Sequence, residues 1–311
     1  AVGGGVASAT GAVAFSSDGL GQVSTASQDG AIAAVGGTAS GAGSISFGYQ
    51  SAASGDDSLA IGGYAQAING SETVALGKSY ASGSSSFAAA ITNNTVSYGA
   101  TGGFGVAIGR NNKATATASS ALGGYLAVSS ANWSTTVGGR QNTADASYSV
   151  ASGYGAVVDS IVGKVAHSSM VGFLPGDTQT GTLVLTTLTT DGTASSLRSN
   201  GSTAGTTNQV ILRNNSAYSF SGTIIAREQA SAGSDYASWE IKGALLRDAN
   251  AASTVLGNGI QNKMYATSGA SAWAIALTAD TTNGGLKIEV TGAASTNIRW
   301  VATVNTSEVT Y

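Results

Sequence analysis

Cysteine is absent from the chain and proline occurs once, at Pro175. Without thiols there is no disulfide framework and no thiolate metal site. Charge is scarce as well: 9% of residues are Asp, Glu, Lys or Arg, against about 25% in ordinary soluble proteins. The 13 basic and 16 acidic residues leave a net charge of −3. They form no basic block, which argues against nucleic acid and anionic membrane surfaces as partners. No apolar run approaches the ~20 residues of a spanning helix and no signal peptide is visible, so no membrane insertion is expected. What is in excess is glycine, 45 of 311 residues, about twice the usual ~7%. Disordered segments are typically rich in charge and proline, so this composition points to ordered, turn-dense β structure.

The glycines are not scattered. Ser-Leu-Ala-Ile-Gly at 58–62 is followed by Thr-Val-Ala-Leu-Gly at 73–77. The same phrase stands at 44–48, 105–109, 120–123, 134–138 and 149–153, and where copies adjoin their closing glycines step by 14 or 15 residues. A fixed short period marks a solenoid, in which each repeat completes its core only against its neighbours. Within a copy, Leu59 and Ile61 fall on one side of an extended segment and Ser58 and Ala60 on the other. That is strand alternation. The closing glycine permits the positive φ of a sharp turn. One period holds two strands of about five residues and two tight turns. Such a coil is thin, with Ala, Ser, Val and Ile inside and no room for Phe or Trp. A single column is expected to leave its Ala-lined face open, and burying it against identical chains predicts an obligate three-fold assembly.

These residues carry a resemblance. Ser-x-Ala-Ile-Gly followed by a looser half, Ala65-Gln-Ala67-Ile-Asn-Gly70, resembles the YadA-type head repeat of trimeric autotransporter adhesins, which phage tail fibres also use. The resemblance covers roughly residues 31–165. It implies a left-handed parallel β-roll three chains wide. The heptad stalk and anchor barrel of the bacterial members are not visible.

The remainder reads as follows. Residues 1–30 are an irregular lead-in and 31–164 the β-roll repeats. Within the roll, 92–105 is an insertion carrying Tyr98 and Phe104 with Asn93 and Asn94. Residues 165–180 are a connector, and 181–311 a C-terminal antiparallel β-sandwich tip domain. Strands are predicted there at 182–190, 208–213, 219–228, 236–246, 262–267, 272–278, 285–291 and 297–304, separated by clusters such as Asp191-Gly192 and Asn283-Gly284-Gly285. With Trp239, Trp273 and Trp300 this half can build a thick core. The fold class expected is therefore all-β.

Chemistry is sparse. A nucleophilic triad needs His beside Ser, and the one histidine, His167, lies in the connector. No phosphate-binding glycine loop is present. Asp56-Asp57 reads as a solvated turn, not a calcium loop. A glycan-cleaving tailspike needs two carboxylates about 5–9.5 Å apart on a cleft. Asp56, Asp57, Glu72, Asp145 and Asp159 are the only suppliers in the roll, and a coil this narrow offers little cleft. Charges within the C-terminal strands, Arg227, Glu228, Glu240, Lys242, Arg247 and Asp248, read as inter-strand or inter-subunit ion pairs. Tyr49, Tyr64, Tyr80, Tyr125 and Tyr154 follow the turn glycines and read as stacked caps on the coils.

The chain is thus expected to be a trimeric fibre or adhesion protein, a bacteriophage tail fibre binding by many weak, non-catalytic contacts. It is read as not an enzyme, with no cofactor and no metal. The alternatives are the head of a bacterial trimeric autotransporter adhesin and a polysaccharide-cleaving tailspike. The expected partners are two identical chains, a bacterial cell-surface receptor (glycan or outer-membrane protein) and other virion tail proteins. The expected location is the virion tail, or else the bacterial surface. Sugars are held by aromatic faces and amide hydrogen bonds, so the candidate receptor contacts are Asn258, Asn262, Tyr265 and Trp273, with Tyr98 and Phe104 second.

Overall fold

The computed structural model describes residues 3–16, 22–93, 95–229 and 235–311. Its Cα trace forms two compact units, Ala1–Asp145 and Ala146–Tyr311. Asn94 lies outside the described residues.

The first unit is a parallel β-roll. Each coil contributes a strand such as Leu59–Ile61 to one sheet and a two-residue strand such as Gln66–Ala67 to the other. The second sheet has ten strands, from Val6–Ala7 to Thr143–Ala144. Pairing keeps the repeat in register: Ala60 stands beside Ala75, then Ala88, Ala107 and Ala121. Parallel pairing begins inside the stretch read as lead-in, where Val6 aligns with Thr25.

The alternation is as predicted, but the faces are the reverse of those expected. The central alanines are the interior: Ala60, Ala75 and Ala88 of one sheet and Ala53, Ala67 and Ala81 of the other are fully buried within a single chain. Two sheets joined by turns this short leave room at these central strand positions for little beyond a methyl or hydroxyl group. The side chains too large for that gap turn outward. Phe15, Ala34, Phe47, Ile61, Leu76, Ala89, Ile108, Leu122 and Val137 stand in one continuous register. Phe15, Phe47, Ile61, Ile108, Leu122 and Val137 are each 37–48% exposed. At about 4.8 Å per step this ladder is roughly 38 Å long. The expectation that alanines form the open face is corrected accordingly.

The hydroxyl residue that opens most phrases has its own reason. Ser44, Ser134 and Ser149 are buried and their Oγ atoms donate to the carbonyl three residues earlier, at 2.7, 2.6 and 2.6 Å. A carbonyl at the coil corner is thereby paired where water cannot reach it. The closing glycine serves the opposite corner. Gly62 has φ +112° and Gly109 φ +113°. A Cβ on Gly62 would lie 2.8 Å from the Gly77 Cα, and on Gly109 2.8 Å from the Gly124 carbonyl oxygen. Gly62→Val and Gly109→Val should each destabilise by at least 1–3 kcal/mol per chain, roughly, from backbone strain alone. Thermal unfolding of the two variants checks this, and unchanged melting in both would remove these glycines from the turn role.

In the second unit Val150–Tyr154 and Val165–Ser168 pair in parallel, and Val165–Ser168 pairs antiparallel with Thr178–Thr189. The stretch read as a connector thus carries a strand. A large antiparallel sheet follows in the order Thr178–Thr189, Ile298–Thr310, Ser216–Glu228, Tyr236–Arg247, Val255–Ala266. A smaller sheet of Ser195–Ser196, Gly285–Thr291, Val210–Ile211 and Ala274–Asp280 completes a sandwich. All eight predicted strands are present. The core between the sheets holds Trp239, Trp273 and Trp300, with Trp300 5.5 Å from Trp239 and 5.9 Å from Trp273. The Trp300 indole donates to Thr189 Oγ1 at 2.9 Å.

A buried charge network fastens the last strand. Lys164 Nζ donates to Asp159 Oδ2 at 3.1 Å and Glu308 Oε2 at 2.9 Å. Gln179 Nε2 donates to the same Glu308 oxygen at 2.7 Å, and Thr306 Oγ1 to the other at 2.6 Å. Burial, then the negative charges of Glu308 and Asp159, keep the Tyr218 phenol protonated far above its usual range.

The turn before Thr178–Thr189 is closed by Asp177. Its carboxylate accepts the N–H groups of Gly172 at 3.0 Å, Leu174 at 2.9 Å and Phe173. Burial works to raise its pKa, but these three donors and the Thr178 hydroxyl outweigh it and hold the group at about 2. A carboxylate with a depressed folded pKa contributes stability that is present above its unfolded pKa, about 3.9, and disappears as pH falls. Melting followed downward from pH 5 should therefore show a loss between about pH 4 and pH 2. Asp177→Asn should remove that component of the loss, and a profile identical to the parent would discount the turn.

Candidate functional site

The large sheet of the second unit buries one face in the sandwich and leaves the other open. Along Ile298–Thr310, Ile298, Trp300, Ala302 and Val304 point inward, so Arg299, Val301, Thr303 and Asn305 point out. Register then assembles rows across the strands. One runs Leu188, Arg299, Arg227, Tyr236, and the next Thr186, Val301, Ile225, Ser238. Further along come Thr182, Asn305, Ser221 and Lys242. The open face therefore changes character from hydroxyl-rich at one end to basic, aromatic and aliphatic at the other.

Depressions on this unit include a hydroxyl-rich one and one at the arginine end of the sheet. The hydroxyl-rich one, about 330 Å³, is lined by Thr180, Thr182, Ser219, Ser221, Asn305 and Ser307, and Thr182 Oγ1 donates to Asn305 Oδ1 at 2.9 Å. The other, about 430 Å³, is lined by Thr186, Leu188, Arg198, Asn200, Arg299 and Val301 among others. Arg198 reaches it because its backbone bridges to Thr186, with N–O distances of 2.7 and 3.2 Å. Its Nη2 donates to Thr187 Oγ1 at 3.4 Å.

Of the residues singled out in the sequence, three share one strand. Asn258, Asn262 and Tyr265 lie exposed on Val255–Ala266, the outermost strand of the large sheet. Tyr265 stacks on Tyr236 at 5.1 Å with 27° between the rings. The hydrogen bond with the Tyr265 side chain, then its charge, raises the Tyr236 phenol above its ordinary value. Trp273 is withdrawn from this set: just ahead of the Ala274–Asp280 strand, it is 1% exposed and packed in the sandwich core against Trp300. Tyr98 and Phe104 belong to the other unit. Tyr98 packs on the alanine core beneath the Lys113 ammonium, 4.9 Å from its ring, while Phe104 is 64% exposed.

The roll tyrosines are engaged in local stacking. Tyr49 and Tyr64 meet edge to face at 5.5 Å, Lys78 covers Tyr64, Arg110 and Arg140 flank Tyr125, and Tyr80 is buried. The roll carboxylates cap neighbouring coils: Asp56 Oδ1 accepts the Ala42 N–H at 3.0 Å and Glu72 Oε2 the Ser85 hydroxyl at 2.8 Å. Of the C-terminal charges read as inter-strand or inter-subunit ion pairs, Lys242 and Glu240 are 3.8 Å apart but lie two residues apart on one strand. Within the chain, Arg247 donates to the Leu212 and Gly284 carbonyls and Arg227 has Arg299 opposite it. Sequence inspection also passed over one pairing. Adjacent parallel strands place Ser152 beside His167, with Oγ 3.0 Å from Nδ1.

Comparison with known proteins gives three findings. The model of the YadA head domain repeat matches twice, at residues 39–65 and 100–125, so the chain carries YadA head repeats. No curated protein matches the sequence. Among solved structures the chain is similar to the tailspike protein gp49 of Acinetobacter baumannii bacteriophage Fri1, a capsular polysaccharide depolymerase. The two are 6% identical with a TM-score of 0.27, over 93% of this chain and 65% of that one. The expectation that the chain is not an enzyme is corrected by this match and withdrawn. The likeness itself, at that TM-score, assigns no activity here.

Proposed function

We propose that the chain is a segment of a trimeric attachment fibre of the phage-tail kind, working outside the cell. In this reading the YadA repeats assemble three chains and the antiparallel unit presents the surface that meets a bacterial receptor, glycan or protein. The observation that carries it is the apolar ladder from Phe15 to Val137, six of whose nine members are 37–48% exposed, held in strict register on repeats of the YadA head type. Monomeric proteins rarely leave an apolar strip of this length in water. A fibre of three chains also presents every weak contact three times, which multiplies affinity through effective concentration. Other virion tail proteins are the companions this reading supplies, and a bacterial surface adhesin is the same architecture in another setting.

The test is attachment. Fluorescently labelled full-length chain is mixed with a panel of bacteria that differ in capsule and outer-membrane composition. Saturable binding confined to some members supports the proposal. Uniform absence of binding across the panel, by protein of confirmed trimeric mass, would sink it.

A further inference from the structure

We propose that the end of the large sheet where Arg198, Arg227 and Arg299 come together binds the carboxylate-bearing residues of an acidic polysaccharide. This rests on the reading of that sheet as the receptor-contacting surface.

Arg227 and Arg299 stand directly opposite each other on neighbouring antiparallel strands, both exposed on the same face. Like charges in that position are destabilising. Arg198 lines the same depression as Arg299. Among the described residues, no carboxylate forms an ion pair with any of the three. The neighbouring segment 230–234, Ala-Ser-Ala-Gly-Ser, contains no acid. Glu228 follows Arg227 along the strand and is aligned with the inward Ile298, so it belongs to the other face. The other cations of this unit are all engaged. Lys164, Arg213, Lys242 and Lys287 pair with carboxylates, while Arg247 and Lys263 donate to carbonyl oxygens. Among the described residues, Arg227 and Arg299 have neither a counter-charge nor a side-chain hydrogen bond, and Arg198, held only by Thr187, brings a third guanidinium to the same end of the sheet.

The chemistry they select is specific. A guanidinium fork matches a carboxylate with two parallel hydrogen bonds. Beside Arg227 in the row is Tyr236, stacked on Tyr265, which offers an aromatic face for a sugar ring. Leu188 and Val301 add apolar surface within the depression. From Leu188 to Tyr236 the row crosses three strand-to-strand steps, about 14 Å. That length suits consecutive residues of an extended polymer better than a single ion. Nucleic acid is disfavoured because its binding draws on many more cations than a chain of net charge −3 assembles here.

The test uses the full chain and three probes: a galacturonic acid hexamer, the same hexamer with its carboxyls reduced to alcohols, and a DNA hexamer. Calorimetry should show binding of the acidic hexamer that weakens with salt. It should weaken by about tenfold or more in R227Q and in R299Q. Neither variant should melt below the parent, since each removes one of two opposed like charges. Equal binding of the reduced hexamer, tighter binding of DNA, no binding of the acid hexamer, or variants that bind as the parent does would each overturn the inference. Attachment to cells is scored separately. A chain that binds the acid hexamer through these arginines but never attaches to bacteria would count against the attachment reading alone. Attachment that survives in the doubly substituted chain, with no hexamer binding in the parent, would count against this inference alone.

Discussion

Lysine at Ile61, Leu76 and Leu122 together is expected to convert a three-chain assembly into single chains. The three side chains lie in one register along the outer face of the roll. Burying an aliphatic side chain of this size contributes about 1.5–3 kcal/mol. An ammonium in the same place adds the cost of an unpaired buried charge, repeated in every chain around the axis. Light scattering after size exclusion should give about three times 30.3 kDa for the parent and one chain mass for the variant. Because these side chains point away from the alanine interior, the far-ultraviolet circular dichroism of the coils should stay the same. A parent that runs as a well-folded monomer at micromolar concentration would end the trimer reading. A variant that stays trimeric would move the interface off this ladder.

That ladder also shows what the sequence made legible and what it did not. The strand alternation, the coil length and the turn glycines were all readable, since a period of 14 or 15 residues admits few other arrangements. Which side of the alternation faced inward was not. The rule that large apolar residues go inside predicts Leu59 and Ile61 in the core, and it fails where the central strand positions of two close sheets leave room for little beyond a methyl or hydroxyl group. In the sandwich the same rule worked, and Trp239 and Trp300 are core residues, because sheets about 10 Å apart leave room for them. Trp273 was misplaced as a receptor contact because Ser268–Trp273 reads as a polar, aromatic loop until its packing on Trp300 is seen. The arginine cluster was invisible for another reason. Arg227 and Arg299 are brought together only by strand register, and an overall net charge of −3 hides a local positive patch. The Ser152–His167 contact has the same origin, a neighbour one coil away.

The second large effect is expected from Lys164. Its side chain is 1% exposed, and so is that of Glu308, which it bonds at 2.9 Å. Lys164→Met keeps the volume of the stem and removes the charge. Asp159 retains Arg213 as a counter-ion after the change. Glu308 does not: Gln179 and Thr306 still donate to it, but neither carries charge. The variant therefore leaves one buried carboxylate without a cation, and breaking a buried pair in this way costs about 3–5 kcal/mol. Urea unfolding of the second unit, followed through the fluorescence of Trp239, Trp273 and Trp300, should register a loss of that order. Adding Glu308→Gln to Lys164→Met removes the orphaned charge and leaves an amide that can still accept from Thr306. The double variant should recover most of the loss, because replacing both members of a buried pair is often close to neutral. A single variant that loses less than about 1 kcal/mol, within the range of an exposed pair, would show that solvent reaches these groups. A double variant no better than the single one would show that packing of the lysine stem, and not the charge on Glu308, sets the cost.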